Sequence, residues 1–148
     1  MSPSSVPSPS DSQRLALDAW PVMEWLKDRG RAADYVDLLL ARSKQLQVRL
    51  FMSRINLGEV YYSTARAWDV TRADFILARM YELPIDMVSA SDDAVLSFAR
   101  LKIVHNISYA DVFAAGLAME LRCPLVTGDP EFRALAQSGM IELDWIGA

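Results

Sequence analysis

The chain has 148 residues, 52% hydrophobic and 23% charged, with a formal net charge of −4. That length suits one domain, the composition excludes a long disordered chain, and no run approaches the roughly 18 uncharged apolar residues of a membrane span. One cysteine, Cys123, excludes an intramolecular disulfide or a cysteine zinc site, and one histidine, His105, excludes any site that needs two; a reducing cytoplasm fits. The acidic balance counts against a simple nucleic-acid binder, but not against an enzyme that grips nucleic acid through bound cations, which invert the local charge.

Met1 to Ser12 holds six serines and three prolines. It reads as a disordered Ser/Pro-rich tail, with neither the apolar stretch of a secretory signal nor the arginines of a transit peptide. Residues 13–148 read as a single domain. Leu15-Ala16-Leu17 is a short apolar run ending at Asp18, and Pro21 suits the first turn of a helix reaching Asp28. A second helix is expected over Ala32 to Ser43 and a strand over Arg49 to Met52. Asn56 to Trp68 is helical, with Leu57, Tyr61, Thr64 and Trp68 on one face. Thr71 and Asp74 suggest a capping box for a helix ending before Pro84. A strand over Ile85 to Val88 follows, then a helix from Ser91-Asp92-Asp93 to Lys102 and another from Ser108 to Leu121. Pro124 to Thr127 reads as the fourth strand, Asp129-Pro130 starts a short helix to Gln137, and Ile141 to Leu143 is a fifth strand candidate. Strands separated by helices predict an α/β fold: three layers, α/β/α, around a parallel sheet of four or five strands.

In open parallel sheets, sites gather at the carboxyl ends of the strands. That rule points at Asp18 and Asp129. Each is equally readable as a helix cap. Asp111, three residues after Ser108, can close a capping box, yet its small apolar surroundings suggest a helix packed tightly on the sheet, where a solvated Asp is out of place. Glu59 belongs to a stripe of Asn56, Glu59, Ser63 and Arg66 that reads most simply as a wet helix face. Together the four say more. Two stand at strand ends and two in first helical turns, so if those edges coincide the carboxylates converge. Crowded carboxylates raise one another's pKa unless cations bind, and Mg²⁺ or Mn²⁺ would find an oxygen-ligand site there. Two such ions about 3.5–4 Å apart suit phosphodiester hydrolysis, one activating water and the other steadying the leaving oxygen.

Leu15-Ala16-Leu17-Asp18, Ile55-Asn56-Leu57-Gly58-Glu59, Ser108 to Ala118 and Pro124 to Phe132 together resemble the PIN-domain family, most of all the VapC-type toxins of prokaryotic toxin–antitoxin pairs. The resemblance runs from Leu15 to about Ile146, and its last two segments are the specific ones. It implies a PIN-like nuclease domain over residues 13–148, acting as a Mg²⁺- or Mn²⁺-dependent endoribonuclease. It implies metal-site acids at Asp18, Glu59, Asp111 and Asp129. Thr127 matches the hydroxyl residue two places before the last acid, and Glu131 a position that is sometimes acidic, both in supporting roles. Where the family often has Asn or Ser two places after the first Asp, this chain has Trp20, which removes a polar group near the metals. That departure supports an alternative, a PIN-like RNA- or protein-binding module with a decayed metal site. A receiver-like regulator would need a phosphoacceptor, for which only Asp86 offers, and a late lysine, whereas none follows Lys102.

The expected partners are an RNA substrate, a cognate antitoxin, a second copy of the chain in a homodimer or a higher toxin–antitoxin assembly, and no membrane. An acidic pocket suits an arginine or lysine from an antitoxin, and Val36, Leu39, Leu40 and Tyr62 supply more apolar area than one small core face needs. His105 reads as a loop residue and Cys123 as strand packing. Arg14, Arg54, Arg66 and Arg133 can each reach phosphate, with none singled out.

Overall fold

The computed structural model describes residues 12–148. In chain order it contains β1 (Gln13–Leu17), α1 (Ala19–Leu26), α2 (Gly30–Lys44), β2 (Val48–Ser53), α3 (Arg54–Ala67), α4 (Val70–Met80), β3 (Ile85–Val88), α5 (Asp92–Val104), α6 (Tyr109–Leu121), β4 (Leu125–Thr127), a 3₁₀ turn (Pro130–Phe132), α7 (Arg133–Gln137) and β5 (Leu143–Trp145). The strands form one sheet in the order β3-β2-β1-β4-β5, with every neighbouring pair parallel. The sheet is thus the expected parallel one, at five strands. Among the described residues no helix is long and apolar enough to cross a membrane. Of the tail expected over residues 1–12, only Ser12 is described. It is buried, and its Oγ donates to the Leu46 carbonyl at 2.7 Å.

Side chains alternate across a strand, and here both sheet faces are covered. Leu15, Leu17, Leu50, Met52 and Val126 pack with Val22, Val36, Leu39, Leu57, Val60 and Met80 of α1 to α4. Ala16, Phe51 and Leu125 pack with Val112, Phe113, Ala114, Ala115 and Leu117 of α6 and with Phe132 and Leu135. The strand order reverses between β1 and β4. In an open α/β sheet that switch point is where the loops splay and leave a crevice, and Asp18 and Asp129 stand on its two sides.

The element boundaries carry several corrections. α1 begins at Ala19 rather than Pro21, with Pro21 inside its first turn, where a missing N–H costs nothing. The capping box at Thr71 and Asp74 does not form: Asp69 caps α4 by accepting from Arg72 N at 2.7 Å, and Asp74 instead accepts from the Tyr61 hydroxyl at 2.6 Å. The fifth strand lies two residues later than Ile141–Leu143, because Leu143 to Trp145 pair with Leu125 to Thr127. Val36, Leu39 and Leu40 are core residues, not a partner surface; only Tyr62 of that set is exposed. The stripe on α3 is not a wet face either, since Asn56 is completely buried. Ser91 and Ser108 cap α5 and α6 as the sequence suggests.

Candidate metal centre

β1 ends at the switch point in Asp18, which is 1% exposed. Its carboxylate makes no cap bond to α1; instead Thr127 Oγ1, at the end of the adjacent β4, donates to Asp18 Oδ2 at 2.9 Å. The same Thr127 oxygen accepts from Asp129 N at 3.0 Å, and Asp129 Oδ1 accepts from Glu131 N at 3.0 Å. One hydroxyl therefore ties two strand ends together, and the next acid shapes the 3₁₀ turn that presents Glu131. Asp129 does act as a cap, with only one of its oxygens.

Asp111 lies in the first turn of α6, 3% exposed, with its N–H directed to Ser108 Oγ at 3.3 Å. α6 can carry an aspartate so close to the sheet because its buried run is small, Asp111 through Ala118, with the Phe98 ring lying where a side chain on Gly116 would stand. Glu59 is half-buried in the second turn of α3, one turn later than the first-turn placement expected. Asn56, one turn before it, donates through Nδ2 to the Ala110 carbonyl at 3.1 Å and to Glu59 Oε1 at 3.4 Å. The residue assigned to a solvated face thus clamps α3 to α6 beside two of the acids. Its Oδ1 is buried without a partner among the described residues.

All four predicted acids, and Glu131, come together. Asp18, Glu59 and Asp111 each place a carboxylate oxygen within 4.8 Å of the others, and so do Asp111, Asp129 and Glu131. The two sets share Asp111. Among the described residues, none of the five makes an ion pair with Lys or Arg. Crowding and burial shift several of these carboxyls upward. Burial, with the charges of Glu59 and Asp129 added, raises the Asp18 carboxyl to about 7. Burial, with the neighbouring Glu131 carboxyl and the charge of Asp18 added, also raises Asp111, while Asp111 pulls Glu131 down. Glu59 rises through burial, opposed by its hydrogen bond from Asn56. A cluster of hard oxygen donors, with Asp18, Glu59 and Asp111 pushed up and no basic side chain paired to it among the described residues, fits one or two divalent cations.

Trp20, at the position where a polar residue was looked for, does not enter the cluster as a donor. Its ring tip packs on Gly128, so closely that a Cβ there would lie 2.4 Å from Trp20 Cη2. His105 stands at the C-cap of α5, and Cys123 is half-buried before β4. The sequence reading missed the clamp made by Asn56, which lies on a stripe with Glu59, Ser63 and Arg66 and carries no local signal of its burial.

A sequence model of the PIN domain matches residues 15–137, a span that contains all five acids. No curated protein matches the chain. Solved structures resemble it at low identity. VapBC2 from Rickettsia felis, bound to a DNA fragment from its promoter, is 15% identical, with 90% of this chain and 99% of that chain covered and a TM-score of 0.69. VapBC-1 from nontypeable Haemophilus influenzae is 19% identical over 91% and 98%, at 0.64. VapC20 from Mycobacterium tuberculosis, a sarcin–ricin-loop-cleaving toxin, is 17% identical over 82% and 94%, also at 0.64. At these identities the likeness is one of fold.

Proposed function

The chain belongs to the PIN-domain family, and on that premise we propose that it is a Mg²⁺- or Mn²⁺-dependent endoribonuclease, the toxin of a toxin–antitoxin pair. The observation that carries this reading is the pair of carboxylate sets sharing Asp111 at the switch point of the sheet. The likeness to VapC20, a sarcin–ricin-loop-cleaving toxin, supports the reading of a cleaving toxin.

A bound pair of such ions supplies Lewis-acid activation of water and stabilisation of the leaving oxygen of a phosphodiester. The protein's own work is positional. Asp18, Glu59, Asp111 and Asp129 would hold the ions, while Thr127 donates to Asp18 and Asn56 to Glu59, orienting both carboxylates. No side chain here is arranged as a nucleophile, so no covalent enzyme intermediate is invoked.

The alternative of a decayed site draws on Trp20. The packing of that ring on Gly128, with five acids still gathered, supports the enzyme reading instead. A cognate antitoxin would bring a basic side chain to the cluster. A largely apolar groove of about 240 Å³ between α3 and α4, lined by Arg54, Leu57, Gly58, Tyr61, Leu77 and Tyr81, offers its helix a seat. For a homodimer, α5 is the best face: it has no buried residue and exposes Leu96, Ile103 and Val104 along one side. Incubation of the purified chain with an RNA pool, with and without Mn²⁺, tests the activity. Metal-dependent internal cleavage is expected; no cleavage together with no metal-induced gain in melting temperature would favour the decayed-site alternative.

A further inference from the structure

Four arginines were candidates for phosphate contact, and the structure separates them. Arg14 lies on β1 toward its amino end, away from the acids. Arg54 Nε donates to Ser89 Oγ at 2.9 Å, and Arg66 lies over the Tyr62 ring late in α3. Arg133 differs. It opens α7 four residues after Asp129, immediately beyond the turn that Asp129 caps. It is exposed, makes no ion pair among the described residues, and holds its Cζ 4.4 Å from the centroid of the Trp145 ring.

Trp145 fixes where that cation stands. It is the register partner of Thr127, and Ile146 N donates to the Thr127 carbonyl at 3.0 Å. Asp18 N donates to the Val126 carbonyl at 3.3 Å, so Asp18, Thr127 and Trp145 form a row across three adjacent strand ends. Two strand spacings put the outer members of the row about 10 Å apart. Gly147 lies against the indole edge: a Cβ there would come 2.7 Å from Trp145 Cζ2. An arginine already stacked on an indole loses less freedom when it binds, and its planar fork matches a phosphate.

We infer that Arg133, braced by Trp145, binds a phosphate flanking the scissile bond of a single-stranded RNA and so sets the strand's register on the acid cluster. This rests on the ribonuclease reading. It adds what bound metal does not supply: in a chain of net charge −4, ions at the acid cluster would attract phosphate at the reacting centre alone, and a cation at the rim fixes a second phosphate and with it the strand's position. The occupant is nucleic acid; a protein partner on the same arginine is an outcome the test separates.

The test uses the full chain. Steady-state cleavage of a short single-stranded RNA in Mn²⁺ gives KM and kcat. Anisotropy of the same labelled RNA with the Asp111→Asn chain, with and without the added Arg133→Gln, gives the dissociation constant and its salt dependence. Arg133→Gln should raise KM and the dissociation constant about tenfold, as for loss of one charged hydrogen-bonding group, with kcat within about twofold. The slope of log K against log salt should fall by about 0.7, one phosphate on a single strand. Arg133→Lys should restore the slope but not the full affinity. Trp145→Leu, checked by melting, should weaken binding with the slope retained; if it fails to fold, the Arg133 pair decides. Unchanged affinity and slope in Arg133→Gln, while the wild type cleaves normally, overturns this inference and leaves the ribonuclease reading intact. A fall in kcat alone, or loss of a protein partner with RNA binding unaltered, also overturns it. A wild type that neither binds nor cleaves RNA removes both.

Discussion

Thr127 and Asp18 stand 109 residues apart in the chain and share a hydrogen bond of 2.9 Å at the switch point of the sheet. Both are essentially sealed from water, at 0% and 1% exposure. The bond closes the crevice between β1 and β4, and because Thr127 also receives Asp129 N, it coordinates two acids at once.

Replacing Thr127 by Val keeps the shape and removes both functions. The buried Asp18 oxygen and the Asp129 N–H each lose a partner, at a cost of about 1–3 kcal/mol for each group left bare. The expected result is a lower melting temperature without metal and weaker Mn²⁺ binding by calorimetry. Wild-type values for both would mean that the hydroxyl does not organise the acids.

The acid cluster also sets a pH dependence. The folded state holds Asp18 at about 7 against an unfolded value of 3.8. Its protonated form thus contributes stability that is fully present below about 4 and is lost as pH rises through about 7. For this one residue the loss amounts to about 4 kcal/mol. Metal-free protein should melt lower at pH 8 than at pH 5, Asp18→Asn should flatten that slope, and Mn²⁺ affinity should climb over the same window as protons are displaced. A metal-free melting temperature that rises from pH 5 to pH 8 would contradict the account.

Much of this was legible beforehand. Helices alternating with short apolar runs indicated the parallel sheet, and the rule that sites gather at strand ends pointed at Asp18 and Asp129, two of the acids that the fold brings together. What stayed hidden depends on tertiary packing. Asn56 sits on a stripe whose composition is that of a solvated face, and only the approach of α6, visible in the bond to Ala110, buries it. Val36, Leu39 and Leu40 looked surplus because α1 to α4 cover one sheet face more completely than a count of apolar residues implies. β5 slipped by two residues because strand register belongs to the pair, and β4 chooses Leu143. Arg133 could not be told from three other arginines until Trp145 was placed beneath it.

Gly128 offers a test of how Trp20 sits. A methyl group there would meet the Trp20 ring at 2.4 Å and the Gly147 Cα at 2.8 Å. Gly128→Ala should lower stability by about 1–3 kcal/mol, in the range of overpacked sites, and Trp20→Ser should recover part of that loss in the double variant. Additive effects of the two changes would show that ring and glycine are not in contact.

The bare face of α5 yields a prediction about assembly. Ile103 and Val104 are 82% and 79% exposed, which is unusual for two adjacent aliphatic residues unless something covers them. Ile103→Glu should convert a dimer to a monomer in sedimentation while leaving the melting of the monomer unchanged. A wild type that is already monomeric at high concentration would remove the dimer proposal and leave the metal centre untouched.

The central claim is that Asp111 joins two carboxylate sets into one metal-holding centre, and Asp111→Asn tests it most directly. The substitution keeps the size of the side chain and the backbone bond to Ser108. It removes the charge shared by both sets. Metal-dependent RNA cleavage and Mn²⁺ titration should be measured together on wild type and variant. The account predicts near-normal melting, weakened metal binding, and cleavage lowered by about two or more orders of magnitude. A folded variant that binds Mn²⁺ and cleaves RNA like the wild type would contradict it.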